Sequence, residues 1–376
     1  MKKILYVVRI FSNKNGNLNS KFFSQMDGMK KNGFDVYYLS YENGIFNLMS
    51  FNDDICLFKK KYIFHGFYMY DNTKFYIDMI NFACSVINKI SFDDIYIRMF
   101  PFFSNIIAFF KKAKTNDSKI YIEIPTYPNK KERSRYGVIR NAFLKHSDKV
   151  EKRISKYVTS YFIIGEDCKG LCNSCHAINI NNGVSPFLPK KNTVINSEKK
   201  IKLIAVGSIS FWHGYDRLLY GLNEYLGDYE FEIYIVGNGT DNSVKNMKSY
   251  IESKKMRNVF FIKSLYNEEL DELFDKCDIA IDTLGFFRKG IYYGNTSLKS
   301  REYMMRGIPF IYTLDDNYSD ELSFLMKIDN DNTPVDFKKV VSYYELLKSD
   351  YSKYSNILRN YAKKAYSWEN IYKNKL

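Results

Sequence analysis

Two short segments carry the residues best suited to chemistry. Val206-Gly-Ser-Ile-Ser-Phe-Trp-His-Gly-Tyr-Asp-Arg-Leu-Leu219 reads as a buried strand, a glycine turn and the start of a helix. Leu298-Lys-Ser-Arg-Glu-Tyr-Met-Met-Arg-Gly-Ile-Pro309 reads as a polar loop running into a helix that stops at Gly307 and Pro309. The first N–H groups of a helix lack intrahelical partners and carry partial positive charge, so both segments offer donors to a phosphate. Cations stand close by in sequence: Arg288 and Lys289 in Phe286-Phe-Arg-Lys-Gly290, and Lys299 with Arg301 before Glu302. A diphosphate in a partly desolvated cleft needs both kinds of group. The bland alternatives are first-turn surface charges for Lys299 and Arg301, and for His213 a neutral turn residue packed on Trp212.

A second group lies in the first half. Tyr121-Ile-Glu-Ile-Pro-Thr-Tyr-Pro128 puts Glu123 near the C-terminal end of a strand and stiffens the next turn with two prolines. Arg98 ends a separate strand. Glu123, Arg98 and Tyr127 are therefore candidates for positioning an acceptor, with a structural salt bridge as the alternative for Glu123. Gly16, in Asn15-Gly-Asn17 after the first strand, suits close backbone approach to acceptor or donor phosphate; an ordinary turn fits equally.

Other clusters point to no chemistry. Asp53-Asp54, Asp93-Asp94 and Asp315-Asp316 are adjacent pairs whose side chains would diverge on a strand, and no metal is expected to be required. Cys168, Cys172 and Cys175 followed by His176 match spacings known for iron–sulfur and haem attachment, but no export signal accompanies them and they follow a late strand. Free thiols in a reducing compartment are the expectation, with structural zinc as the alternative. No Ser-His-Asp or Cys-His arrangement is legible.

Elements alternate in the manner of parallel strands joined by helices. In the first half strands are expected at 4–10, 35–39, 94–99, 119–124, 161–164 and 177–180, with helices at 20–31, 105–114 and 133–158. The polar stretch 185–200, carrying Pro186 and Pro189, reads as a linker. Strands then follow at 201–206, 231–236, 259–262, 279–282 and 309–312, with helices from Tyr215 and at 241–254, 268–275 and 299–306. The reading is α/β, with two doubly wound domains at 1–184 and 201–355 and a last helix at 356–376. Ligands of such sheets bind beyond the C-terminal strand ends, which places the expected site in a cleft between domains.

The 376 residues suit two domains, and 45 % hydrophobic and 17 % aromatic content are ample for packed cores. No stretch approaches the length of a membrane span, and the Met1 to Val8 run reads as a first strand, so a cytoplasmic protein is expected. The net charge of +14 is uneven: 28 Lys and Arg against 16 Asp and Glu up to Val184, and 28 against 26 after it. Lys111 to Lys156 alone holds 14 basic and 5 acidic residues. Attraction to an anionic bilayer surface or a diphosphate-linked lipid is one reading of this, a solvated helix face the other. Nucleic acid is disfavoured because no binding motif accompanies the charge.

The order of landmarks resembles family 4 retaining glycosyltransferases. Asn182-Gly-Val184 is similar to the end of that family's first domain, Gly207 to the glycine opening the second, Val236-Gly-Asn-Gly239 to its second-strand turn, and Ser367-Trp-Glu369 to a motif near the C-terminus. The resemblance implies a GT-B fold: two facing Rossmann-like domains, with the C-terminal helix crossing back to the first. Trp212-His-Gly-Tyr-Asp-Arg217, Leu298-Lys-Ser-Arg-Glu-Tyr303 and Glu123-Ile-Pro-Thr-Tyr-Pro128 resemble a bacterial surface-polysaccharide subgroup. It further implies that Gly207 and Ser208 form the first donor loop. Arg288, Lys289, Ser297, Leu298, Lys299 and Arg301 would hold the donor diphosphate, and Glu302 the ribose. Two departures stand out. Ser208 and His213 occupy the positions of the usual Arg and Lys clamp, and Gly294 that of the first glutamate in Glu-x7-Glu. The implied activity is transfer of a hexosyl or N-acetylhexosaminyl group from a nucleotide-diphosphate sugar to a glycan, the expected acceptors being lipid-linked capsule intermediates. Glu123, His213 and Glu302 are the catalytic candidates, with no covalent nucleophile. A non-catalytic GT-B partner subunit and a nucleotide-sugar 2-epimerase are the alternatives.

Overall fold

The structure is a computed structural model that describes residues 1–11, 17–62, 68–127, 138–165, 176–192, 199–239, 241–292, 297–314 and 318–376. The chain divides into two compact units, one of residues 1–181 with 368–376 and the other of 182–367.

The first unit is built on strands that are apolar on both faces. In β1 (Lys2–Phe11), Leu5 and Val7 enter one core while Ile4, Tyr6, Val8 and Ile10 enter another. Such a strand must sit inside a sheet covered on both sides, the signature of parallel α/β architecture. The remaining strands are β2 (Phe34–Glu42), β3 (Ile45–Ser50), β4 (Ile55–Lys61), β5 (Asp94–Arg98), β6 (Lys119–Tyr127), β7 (Ser160–Gly165) and β8 (His176–Ile180). Their order is β4-β3-β2-β1-β5-β6-β7-β8, parallel from β2 through β8, while β3 and β4 add an antiparallel edge. The sequence reading missed that edge. Asn43 (φ 47°) and Gly44 (φ 78°) form the two-residue turn that folds β3 back onto β2. Helices α1 (Asn17–Lys31), α2 (Tyr68–Ile87), α3 (Ile106–Thr115) and α4 (Val138–Ile154) lie between these strands. Of these, α2 was also absent from the sequence reading.

The second unit carries β9 (Lys200–Val206), β10 (Glu230–Val236), β11 (Val259–Ile262), β12 (Ile279–Ile281), β13 (Phe310–Tyr312) and β14 (Met326–Lys327). All six are parallel, in the order β11-β10-β9-β12-β13-β14. Its helices are α5 (Asp216–Glu224), α6 (Ser243–Ser253), α7 (Asn267–Lys276), α8 (Leu298–Arg306), α9 (Phe337–Ser349) and α10 (Tyr351–Tyr366). The connections reverse direction between β9 and β12, so the loops after those two strands diverge and leave room for a ligand at their C-terminal ends.

The domain limits need correction at the C-terminus. Residues 356–367 do not begin a returning helix: Leu358, Ala362 and Tyr366 of α10 pack with Tyr303, Met304 and Met305 of α8 in the second unit's own core. Only Trp368–Leu376 belong to the first unit, through α11 (Trp368–Tyr372) packed on α1. Gly28 permits this contact, since a Cβ there would fall 2.6 Å from Trp368 Cβ. At the other boundary, Val184 lies within the second unit, where its N–H donates to the Tyr366 carbonyl. Among the described residues no helix is long and apolar enough to cross a membrane.

Candidate functional site

The strongest convergence of sequence-predicted residues lies at the C-terminal ends of β9 and β12. After Val206 the chain turns at Gly207 with φ +144°, and the Lys299 side chain crosses that turn: a Cβ on Gly207 would stand 2.9 Å from Lys299 Cε. Lys299 Nζ donates to Tyr215 Oη at 3.0 Å and to Thr283 Oγ1 at 3.2 Å. Burial lowers its pKa to about 8, against the pull of the Asp282 and Glu302 carboxylates. Glu302 is three residues further along α8, on the same helix face. Burial raises its carboxyl pKa, opposed by Arg306 and Lys299. A cation and an acid thus stand one turn apart beside the glycine turn.

The first turn of α8 is open to a ligand's oxygens. Ser297 caps the helix in extended conformation, yet its side chain makes no capping bond. Its hydroxyl donates instead to Asp282 Oδ1 at 2.9 Å, and the same oxygen accepts the Thr283 N–H at 2.7 Å. Leu298 is 37 % exposed at the helix start. Ser208 is exposed in the turn after β9.

The segment Phe211–His213 is a single 3-10 turn capped in both directions. His213 N–H donates to the Ser210 carbonyl, and Ser210 N–H to His213 Nδ1 at 2.9 Å. Burial, with Lys299 and Lys289 nearby, pushes the His213 pKa down to about 2. The ring is therefore neutral, with its proton on Nε2, and supplies an N–H donor in place of the charge a lysine would bring. Its face stacks on Trp212 (3.8 Å between centroids) and on Tyr215 (5.4 Å). Lys289 Nζ sits 3.8 Å from the Trp212 ring centroid.

Two predicted phosphate ligands are engaged elsewhere. Arg288 makes a bidentate pair with Asp216 (2.8 and 2.9 Å) and also donates to the Phe211 carbonyl and Asn332. It ties the Phe286–Lys289 turn to the first turn of α5. Arg301 is 1 % exposed, with its guanidinium 3.7 Å from the Tyr366 ring centroid and bonded to Tyr318. Two positions away from Lys299 on a helix is about 200° round its axis, so Arg301 faces the α10 core. Gly294 lies outside the described residues.

Sequence reasoning missed Asp282, Thr283, Tyr215 and Arg217. Arg217 is almost fully buried and donates to the carbonyls of Thr333, Leu284 and Asp329, fixing the loop after β12. A buried strand end followed by Asp282-Thr283 was the signal that could have found the first two, because polar residues there face the ligand side of such sheets.

In the first unit, Glu123 is placed differently from the expectation. It is 0 % exposed and pairs in register with Arg98 across β5 and β6. Its carboxylate accepts from Gln25 Nε2 (2.5 Å), Tyr96 Oη (2.9 Å) and Arg98, and Lys21 Nζ stands 3.6 Å away. Burial alone would raise its pKa, but Lys21, Arg98 and the two hydrogen bonds outweigh it and hold the acid below the usual carboxylate range. Glu123 is thus enclosed within the unit, while the side chain of its partner Arg98 remains 17 % exposed at the strand end. Tyr127 closes β6, while Gly16 lies outside the described residues. So do Cys168, Cys172, Cys175 and Asp315-Asp316. Among the described residues no group of three or more His, Cys, Asp or Glu side chains could hold a metal ion.

Neither a family profile nor a curated protein sequence matches this chain. Solved structures do. Sucrose-phosphate synthase from Thermosynechococcus elongatus is similar over 100 % of this chain and 97 % of its own, at 11 % identity and a TM-score of 0.65. A glycosyltransferase from Rickettsia africae covers 99 % and 96 % at 14 % identity and a TM-score of 0.62. Anabaena HepE in complex with UDP-glucose covers 100 % and 98 % at 11 % identity and a TM-score of 0.54. The chain has the two-domain Rossmann-like architecture of GT-B glycosyltransferases.

Replacing Glu123 by Gln leaves Lys21 and Arg98 without their counter-charge inside the first unit. Urea unfolding should show a loss of about 3–5 kcal/mol, the range for breaking a buried pair. The folded-state pKa of Glu123 is depressed, so its contribution is present above the unfolded value and disappears as pH falls through the folded one. Wild type should lose more stability than the variant over that acid range. A variant as stable as wild type at neutral pH would remove Glu123 from its structural role.

Proposed function

We propose that this protein is a retaining glycosyltransferase. It moves a hexosyl or N-acetylhexosaminyl group from a nucleotide-diphosphate sugar to a lipid-linked glycan of a bacterial surface polysaccharide. The observation that carries the reading is the pairing of Lys299 and Glu302 on one face of α8, beside the Gly207 turn and a helix start without a side-chain cap. A lysine and helix N–H groups suit a diphosphate, and a carboxylate one turn away suits ribose hydroxyls. Structural neighbours bound to UDP and UDP-glucose support a nucleotide sugar as donor.

In the proposed reaction the bond from the sugar's anomeric carbon to the phosphate oxygen breaks. A bond from the acceptor oxygen to that carbon forms on the same face, and the acceptor's proton passes to the leaving phosphate. Lys299, Lys289 and the N–H groups at Ser297 and Leu298 stabilise the charge that develops on the phosphate. His213 supplies a neutral N–H donor, Glu302 holds ribose, and Arg98 with Tyr127 orients the acceptor. No step is assigned to a metal. The engagement of Arg288 by Asp216 and of Arg301 by Tyr366 favours a second reading, a non-catalytic partner subunit. Calorimetry with nucleotide sugars separates the two, since that subunit need bind none.

Glu302→Gln should weaken nucleoside diphosphate binding about 10- to 100-fold, because a hydrogen bond to a charged acceptor is lost. Normal binding and turnover in that variant would sink the ribose assignment. Affinity should also depend on pH. Lys299 is charged below its pKa of about 8 and loses its proton above it, so affinity for UDP should fall as pH rises through that value. Lys299→Met should bind weakly without that step.

Contact of the basic first half with an anionic membrane belongs to the same proposal. Vesicle binding should rise with anionic lipid content, fall with salt, and weaken when Lys130, Lys131, Arg133 and Arg135, which lie outside the described residues, are neutralised together. Nucleotide affinity should not change. Equal vesicle binding by wild type and variant at low salt would leave the charge as a solvated face.

A further inference from the structure

The Trp212 indole carries more than its own packing. Lys289 Nζ lies 3.8 Å from its ring centroid and Lys299 Nζ 6.0 Å, while His213 stacks on it at an interplanar angle of 29°. Tyr215 also stacks on His213, with 5.4 Å between centroids, and accepts the hydrogen bond from Lys299. Two ammonium groups are thus gathered around one stack of neutral rings. Like charges repel, and more strongly where water is excluded. The carboxylate beside Lys299, Asp282, already accepts from Ser297 and Thr283. An aromatic face attracts a cation without itself carrying a counter-charge, so it can hold the ammonium groups in place.

The 3-10 turn makes the stack rigid. Ser210 and His213 cap each other, the His213 carbonyl accepts the Leu284 N–H at 2.8 Å, and Gly214 takes φ +68° against the backbone of Gly285. The turn bearing Trp212 is thereby fixed to the loop leading into the Lys289 turn. Trp212 itself is only partly buried, so its face meets both the protein and the site.

We propose that Trp212 is a positioning residue that holds Lys289, and through the His213 and Tyr215 rings Lys299, at the places where a donor's diphosphate binds. This rests on the transferase reading above and adds to it the residue that sets the two cations. The stack replaces by geometry the Arg and Lys clamp absent at Ser208 and His213.

The test is calorimetric titration of the full chain with UDP and GDP at low and raised salt. Trp212→Leu should bind the diphosphate that wild type binds about tenfold more weakly, with a shallower dependence on salt, because the cations are no longer held together. Trp212→Phe keeps an aromatic face and should stay within about threefold of wild type. Adding Trp212→Leu to Lys289→Met should cost clearly less than the sum of the single effects. Wild-type affinity and salt dependence in Trp212→Leu would overturn the inference. So would an equal loss in Trp212→Leu and Trp212→Phe, or simple additivity with Lys289→Met; either would mark Trp212 as packing alone. A wild-type protein that binds neither UDP nor GDP would overturn the transferase reading and this inference with it, whereas binding by wild type with Trp212→Leu unaffected overturns this inference alone.

Discussion

Everything at the β9 end of the second unit depends on a place where no side chain fits. Gly207 and Gly237 end neighbouring strands, both with φ above 140°, and a Cβ on Gly237 would lie 1.9 Å from the Gly207 carbonyl oxygen. The two turns are therefore locked against each other by contact between main chains. Space left over Gly207 is filled by the Lys299 stem, which brings a charged group across a strand end where an ordinary side chain would displace it. Substituting either glycine would move the backbone, the lysine, or both.

The two units treat buried charge in opposite ways. In the first, Glu123 is bound by Lys21, Arg98, the Tyr96 phenol and the Gln25 amide, and Gln25 extends the network to Tyr6 and Tyr372. Such a network is satisfied internally and fixes structure. In the second, Lys299 donates to two neutral hydroxyls, with Asp282 and Glu302 nearby, and its charged form is weakened by burial. A group in that condition gains from an incoming anion. This contrast separates a cluster whose charges are satisfied among themselves from one whose buried cation meets mostly neutral hydroxyls, although both contain a buried acid and base.

Much of the fold was legible because strands buried on both faces leave uninterrupted apolar runs, and eleven of the fourteen described strands fall where those runs predict. The antiparallel edge of β3 and β4 was missed despite Asn43-Gly44, a strong turn signal between β2 and β3, because the flanking residues alternate weakly. Residues 356–367 were assigned to the wrong unit for a different reason: amphipathic periodicity says that Leu358, Ala362 and Tyr366 need a core, but not which one. At the site, helical geometry alone separates Lys299 and Glu302 from Arg301, since residues three apart share a face and residues two apart do not. Asp282 and Thr283 stand at the end of a buried strand, a signal that sequence can offer, but that they lie beside the Gly207 turn follows only from the strand order, which places β12 next to β9. No local pattern encodes that adjacency.

The motif Trp212-His-Gly-Tyr-Asp-Arg217 shows why residue type is a poor guide to role. Its charged members are scaffold: Asp216 holds Arg288, and Arg217 donates to the Leu284 carbonyl after β12 and to the Asp329 and Thr333 carbonyls after β14. Its uncharged members face the lysines. His213 cannot serve as a cation because burial and two neighbouring ammonium groups keep it neutral. Where the related pattern would place a lysine, this chain therefore supplies a ring, and the positive charge arrives from Lys289 and Lys299 on other elements. Moving the charge off the first loop has a physical consequence. A flexible lysine on that loop could follow a ligand, whereas Lys289 and Lys299 stand against one aromatic stack; if the donor's diphosphate binds there as proposed, selectivity for phosphate geometry would be built into the fold before any ligand arrives.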